Sequence, residues 1–352
     1  MLHRSRTFRL AALAAGAALA VTGCNAAAAK KDPAGADTAG KKAFTLVTPD
    51  PVGQNEFLKL AVTGIESAAK AQGGTSKVFQ SSDVSSQQQN LKAAVDAAPE
   101  VVVLVGFEFA DAVAQQAGTH PKQQFLMVDA CTAKPLPNVS CAVFREHEGV
   151  FLAGAEAGLL SASGKVGAVD VLDTPQFRRY SDPFAAGAKH AAKDPAKVVA
   201  TTRFVGGQSP FDDSARAKEQ AGSLIADGTD HIMAAAAAGN YGVFEAAKAK
   251  GAFAYGVDVN QCPTAAGTVV DNVVKRTDVA VDKGVAGILA GNAGKTVSYG
   301  LKEGGITLTG LGENLASTQC VIAKHPDVVE RIKALRDEIV AGKLKVDDPA
   351  AV

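Results

Sequence analysis

The chain of 352 residues predicts an α/β protein made of two doubly wound lobes facing each other across a ligand cleft. Short apolar runs rich in β-branched residues alternate with longer Ala-rich segments of helical spacing, the rhythm of parallel strands joined by helical crossovers. That rhythm runs through each half of a body of about 300 residues, enough for two cores. After the first residues, no apolar run reaches membrane-spanning length.

Residues 1–24 read as a lipoprotein signal. His3, Arg4, Arg6 and Arg9 precede an Ala/Leu-rich run that ends in Val21-Thr22-Gly23-Cys24. The run is short for a permanent span, whereas a basic start, an apolar centre and small residues suit a cleaved signal. The tetrapeptide resembles a lipobox, which would make Cys24 the lipidated N-terminus of a chain held outside the cytoplasmic membrane. An ordinary secretory signal with a chance cysteine is the alternative. Residues 25–42 hold almost no bulky apolar side chain and read as a flexible tether.

In the first half, residues 43–47 form a strand leading to a helix over 56–72. Residues 100–105 form the next strand, before a helix over 111–117, and 124–129 another. In the second half, strands fall at 166–171, 198–204, 231–235 and 253–258, with helices at 183–192, 214–226 and 241–250. A strand over 269–275 and a helix over 277–289 follow. A final helix starts near Pro326, a residue suited to a first turn, and ends by Gly342.

Lys plus Arg equals Asp plus Glu at 36 each, with no block of one sign, so nucleic acid is not an expected partner. If Cys24 carries lipid, Cys131, Cys141, Cys262 and Cys320 remain as an even set. Outside the membrane disulfides are permitted; three connectivities exist, and Cys131 with Cys141 and Cys262 with Cys320 are preferred. A metal site is disfavoured because no C-x-x-C spacing or neighbouring His accompanies these cysteines. No metal and no cofactor are expected.

Ligands of doubly wound sheets sit at the carboxyl ends of strands. Asp50, Asp111, Asp129 and Asp258 fall there, where a carboxylate can accept hydroxyl or amine hydrogen bonds or cap the next helix. Phe57 and Phe211 stand in polar surroundings and would either stack on a planar ligand or plug a local core. Lys275 would bond ligand hydroxyls or cover a lobe surface. The P-loop-like run 158–166 lacks the glycine spacing and the Ser or Thr that holds magnesium, and neither a nucleophile elbow nor H-E-x-x-H is present. An enzyme is therefore not expected.

Val105-Gly106-Phe107, Asp111-Ala112, Phe125, Asp129 and Glu148-Gly149-Val150-Phe151-Leu152-Ala153-Gly154 follow one another in a recognisable order. The order continues through Phe184-Ala185-Ala186-Gly187-Ala188, Ala238-Gly239-Asn240-Tyr241-Gly242, Gly256-Val257-Asp258-Val259-Asn260 and Val274-Lys275-Arg276-Thr277-Asp278. The series resembles the basic membrane protein family of substrate-binding lipoproteins, which includes purine-nucleoside-binding members. The resemblance implies a type I periplasmic-binding-protein-like fold. Its lobes would comprise residues 43–145 plus 275–298 and 146–274 plus 299–346. It implies a monomer that captures a nucleoside, purine favoured, and passes it to the membrane subunits of an ABC importer. By position, Phe57 and Phe211 would sandwich the base, Asp111 would read it, Asp258 and Lys275 would hold the ribose, and Gly239 would let the backbone approach the sugar. Thr48, Asp50 and Asn55 compete for the remaining base contact. A sugar or other small polar metabolite, and an extracytoplasmic nucleoside hydrolase, are the rival readings.

Overall fold

The computed structural model describes residues 41–351; the signal, Cys24 and most of the tether lie outside the described residues. The chain runs β1 (Ala43–Thr48), α1 (Glu56–Ala71), β2 (Thr75–Gln80), α2 (Val84–Asp96), β3 (Val101–Val105), α3 (Ala110–Thr119), β4 (Gln124–Val128) and β5 (Val139–Phe144). It continues with α4 (Glu146–Leu160), β6 (Lys165–Asp170), α5 (Pro175–Ala191), β7 (Val199–Phe204), α6 (Ser214–Ala226), β8 (His231–Ala235), α7 (Asn240–Lys250), β9 (Phe253–Asp258) and β10 (Val269–Lys275). Last come α8 (Thr277–Leu289), β11 (Thr296–Tyr299), β12 (Ile306–Leu308) and α9 (Pro326–Val340).

These strands form two six-stranded sheets, ordered β11-β5-β4-β3-β1-β2 and β12-β10-β9-β8-β6-β7. Every pairing is parallel except β10 with β12. Central strands such as β3, Val-Val-Val-Leu-Val, are buried throughout because helices cover both faces of a parallel sheet. The chain passes between the sheets near Arg145, Arg276 and residues 300–305. Pairing keeps Lys275 in the second sheet, opposite Ile306, and Tyr299 in the first, opposite Phe144. The second and third crossings thus fall one residue beyond the bounds read from sequence. Arg145 ties the crossings together: its guanidinium bonds the Ser298 carbonyl at 3.2 Å and Glu148 at 2.6 Å, and pairs with Glu303.

Several elements escaped the sequence reading. β2 is a half-exposed edge strand, and α2, Val-Ser-Ser-Gln-Gln-Gln-Asn-Leu-Lys-Ala-Ala-Val-Asp, has little apolar periodicity but a capping box between Asp83 and Ser86. Helix α4 is buried on all sides over residues 149–157, so it shows no amphipathic stripe. It packs directly on α5, where a Cβ at Gly154 would lie 2.1 Å from the Phe184 carbonyl oxygen and one at Gly187 2.0 Å from that of Phe151. The start of α5 is a correction: it begins at Pro175, not 183, and carries Pro183 inside it. Cys131 is bonded to Cys141 and Cys262 to Cys320, with Cα atoms 5.4 and 5.0 Å apart.

Candidate functional site

The carboxyl ends of β1, β3, β4, β9 and β10 converge on a cavity between the two sheets, with empty space of about 670 Å³. Rings from both sides line it: Phe57 on α1, Phe107 after β3, Phe177 and Tyr180 on α5, and Phe211 before α6. Phe107 meets Phe177 edge-on at 6.2 Å between centroids, and Phe177 meets Phe211 at 5.7 Å. The aromatic wall therefore continues from the first lobe into the second.

Polar groups gather at one end. The Lys275 ammonium, 4% exposed, donates to Asp129 at 2.7 Å and Glu146 at 2.8 Å and lies 4.8 Å from the centroids of Phe57 and Phe144. Burial pulls the lysine pKa down, but Asp129 and Glu146 more than reverse this and keep it cationic. Burial would also raise Glu146, yet Lys275 and Arg179 hold it below its ordinary value. Arg179 in turn makes a two-pronged pair with Asp348 at 2.7 Å, so the C-terminal segment braces the cluster.

Asp129 lies just past β4 and Asp258 is the last residue of β9, and both have left-handed backbones, φ 68° and 71°. Non-glycine residues rarely adopt that region, and where they do a functional constraint commonly holds them. At these strand ends the left-handed backbone goes with a carboxylate that lines the cavity. Burial raises Asp129 to about 7 against the pull of Lys275, and Asp258 to about 6.

Toward the mouth, Asp50, Asn55, Glu108 and Phe211 border both this cavity and an outer chamber rimmed by Gln208, Ser209 and Asp212. Burial, then Asp212, raises Asp50; burial and Asp50 raise Glu108 to about 7. Among the described residues Lys275 is the one basic side chain lining the cavity, and its charge is already matched. Such a lining favours hydroxyl and N–H donors and opposes phosphate.

Of the residues singled out from sequence, Asp50, Asn55, Phe57, Asp129, Phe211, Asp258 and Lys275 line this cavity. Three do not. The Thr48 hydroxyl is buried and donates to the Asp50 carbonyl at 2.7 Å, so it shapes the loop. Asp111 is exposed on the first turn of α3 and borders a surface dent beside Val84; Glu108, three residues earlier, is the carboxylate that reaches the cavity. Gly239 allows close packing on Ala217 and Ala236, whose Cβ atoms would lie 3.2 Å from an added methyl. The sequence reading also missed Phe107, Glu108, Gln176, Phe177 and Tyr180 as lining residues, and Glu146 as the partner of Lys275. Thr174-Pro175 is a helix-start signal that would have brought Phe177 and Tyr180 onto the first turns of α5.

The two facing sheets, with a cavity at their strand ends, agree with the family comparisons. A family model described as ABC transporter substrate-binding protein PnrA-like matches residues 41–345. The chain belongs to this family. Similar proteins include Basic membrane protein A of Borreliella burgdorferi, 28% identical over 74% of this chain and 77% of that one. Another is the ABC transporter nucleoside-binding protein BmpA of Lactococcus lactis, 26% identical over 97% of this chain and 99% of that one. Among solved structures, an ABC transporter solute-binding protein from Aeropyrum pernix superposes with a TM-score of 0.75 at 25% identity, covering 88% of this chain and 94% of its own. The fold is therefore of the type I periplasmic-binding kind, and the chain is a substrate-binding protein of an ABC transporter, acting outside the cytoplasm. Among the described residues no helix is long and apolar enough to cross a membrane.

Proposed function

We propose that this PnrA-like protein captures a nucleoside in the interlobe cavity and delivers it unchanged to the membrane subunits of its importer. The observation that carries the reading is the pairing of an aromatic wall with a polar end: Phe57 and Phe211 enter from opposite lobes, while Asp129, Asp258 and Lys275 cluster where a ribose would lie. A flat base suits the rings, each stacking contact contributing about 1–3 kcal/mol. The ribose hydroxyls suit carboxylates already oriented by their backbones.

Contacts across the cleft support capture by closure. Lys275 reaches Asp129, Gln176 donates to the Asp129 carbonyl at 3.4 Å, and Tyr241 donates to Glu56 at 3.4 Å. A ligand touching both lobes adds to these and favours the closed state. The protein acts as a monomer without cofactor, and a lipid on Cys24 keeps it beside the importer.

Calorimetric titration with adenosine, guanosine, inosine, cytidine and uridine, beside free ribose and the matching monophosphates, tests the reading. Heat with at least one nucleoside, and weaker or no binding of ribose and the monophosphates, is the expected result. Silence from every nucleoside sinks it. Chromatography of the spent mixtures checks that no free base is released.

A further inference from the structure

The mouth end of the cavity holds a carboxylate with one oxygen that no donor of the protein reaches. Glu108 Oε2 is buried and has no hydrogen-bond partner, yet Glu108 lines the cavity. Its carboxylate folds back over Gly106, whose φ of +104° and missing side chain make the room: a Cβ there would lie 2.3 Å from Oε2. An unpaired buried acceptor is costly, so such a group is commonly completed by something that binds. Glu108 borders the outer chamber together with Phe211, whereas Lys275, Asp129 and Asp258 do not. It therefore stands at the opposite end of the cavity from the ribose cluster, on the aromatic side where the outer edge of a base would lie.

We propose that Glu108 selects the base, accepting from the two adjacent N–H donors of a guanine-type edge when ionised and matching the donor-acceptor edge of adenine when protonated. The proposal rests on the nucleoside reading above. A carboxylate offers two acceptors, which fit the ring N–H and exocyclic amino group of guanine. A carboxylic acid offers one donor and one acceptor, which fit the ring nitrogen and amino group of adenine.

Both forms are accessible near neutrality because burial and Asp50 bring Glu108 to about 7. The titratable groups facing it are Asp50 from the loop after β1, Asp212 across the outer chamber and Asp111 on α3. Of these, Asp50 acts on Glu108 and favours its neutral form.

Affinity for each base then scales with the fraction of Glu108 in the matching form. Between pH 6 and pH 8, guanosine affinity rises and adenosine affinity falls, moving the preference between them by ~10-fold or more. E108Q carries one donor and one acceptor at every pH, so it mimics the protonated form. It is expected to bind adenosine with little pH dependence and guanosine at least ~10-fold more weakly than the native protein at pH 8.

Calorimetric titrations of native protein, E108Q and E66Q with both nucleosides at the two pH values decide it, with a melting curve for each variant to show folding. E66Q, altered at an exposed position of α1 that lines neither the cavity nor the outer chamber, should behave as native. If native protein binds a nucleoside but shows no pH-dependent exchange of preference, or if folded E108Q keeps that exchange, the role of Glu108 is overturned while the nucleoside reading stands. If native protein binds neither nucleoside at either pH, whereas a sugar binds, both fall.

Discussion

Replacing Lys275 by Met tests the interlobe cluster because it removes one charge and keeps most of the side-chain volume. In the native protein the ammonium holds Asp129 at 2.7 Å and Glu146 at 2.8 Å in a nearly dry site. Breaking a buried ion pair from one side costs about 3–5 kcal/mol, since the remaining charge loses its partner. The pH dependence carries the sharper signature. Asp129 is raised to about 7 when folded, above an unfolded value of ~3.9, so the stability linked to it is full at low pH and is lost as pH rises. In the native chain that loss levels off above about 7. Without Lys275, which pulls this value down, the loss continues to higher pH, by up to ~1.4 kcal/mol per unit. Glu146, kept low by Lys275 and Arg179, accounts for the part of the deficit already present in mild acid. Urea unfolding of native protein and Lys275→Met at pH 6 and pH 9 gives both quantities from the midpoints and slopes. A deficit below ~1 kcal/mol at both pH values, or one that does not grow between them, would refute the reasoning.

Other expected outcomes test separate parts of the molecule. Phe57→Ala and Phe211→Ala should each weaken nucleoside binding by about 1–3 kcal/mol in calorimetry, and indifference to both would point to an unstacked ligand. Gly187→Ala should cost at least ~2 kcal/mol in denaturant unfolding, because its methyl group would drive α4 and α5 apart, whereas Gly118→Ala, on α3 with open space around it, should gain about 0.5–1 kcal/mol. Opening Cys262–Cys320, 58 residues apart, should lower stability by about 1–2 kcal/mol more than opening Cys131–Cys141, 10 apart, as judged by paired Ser variants in urea.

Much of the fold was legible because buried parallel strands are strong local signals. The runs that became β1, β3, β4, β6, β8 and β9 are apolar-rich segments, four of them (β1, β3, β6 and β8) followed by helices, and they can be read without knowing what they pair with. Elements whose stability comes from neighbours were not legible. Helix α4 has no polar face to give it a period, β2 is a half-exposed edge, and Pro183 masked the first turns of α5 because a proline reads as a helix start.

The same division runs through the site. Asp258 and Lys275 could be named from residue type and strand-end position, and Phe57 and Phe211 as aromatics in polar surroundings within the family's order of residues, because these are local properties of the sequence. Side-chain direction is not local. Asp111 and Glu108 sit three residues apart at the start of one helical segment, and only the turn at Gly106 decides that Glu108 reaches the cavity while Asp111 faces solvent. Thr48 and Gly239 likewise have the right type in the right place, but a carbonyl and two methyl groups engage them first. The amino-acid order by itself determined a two-lobed α/β chain with ligand-binding strand ends, because hydrophobic periodicity acts over a few residues. Tertiary structure decided which carboxylates meet the ammonium of Lys275, Asp129 from the first lobe and Glu146 from the second, since that depends on contacts between residues 129, 146 and 275 that no local pattern encodes.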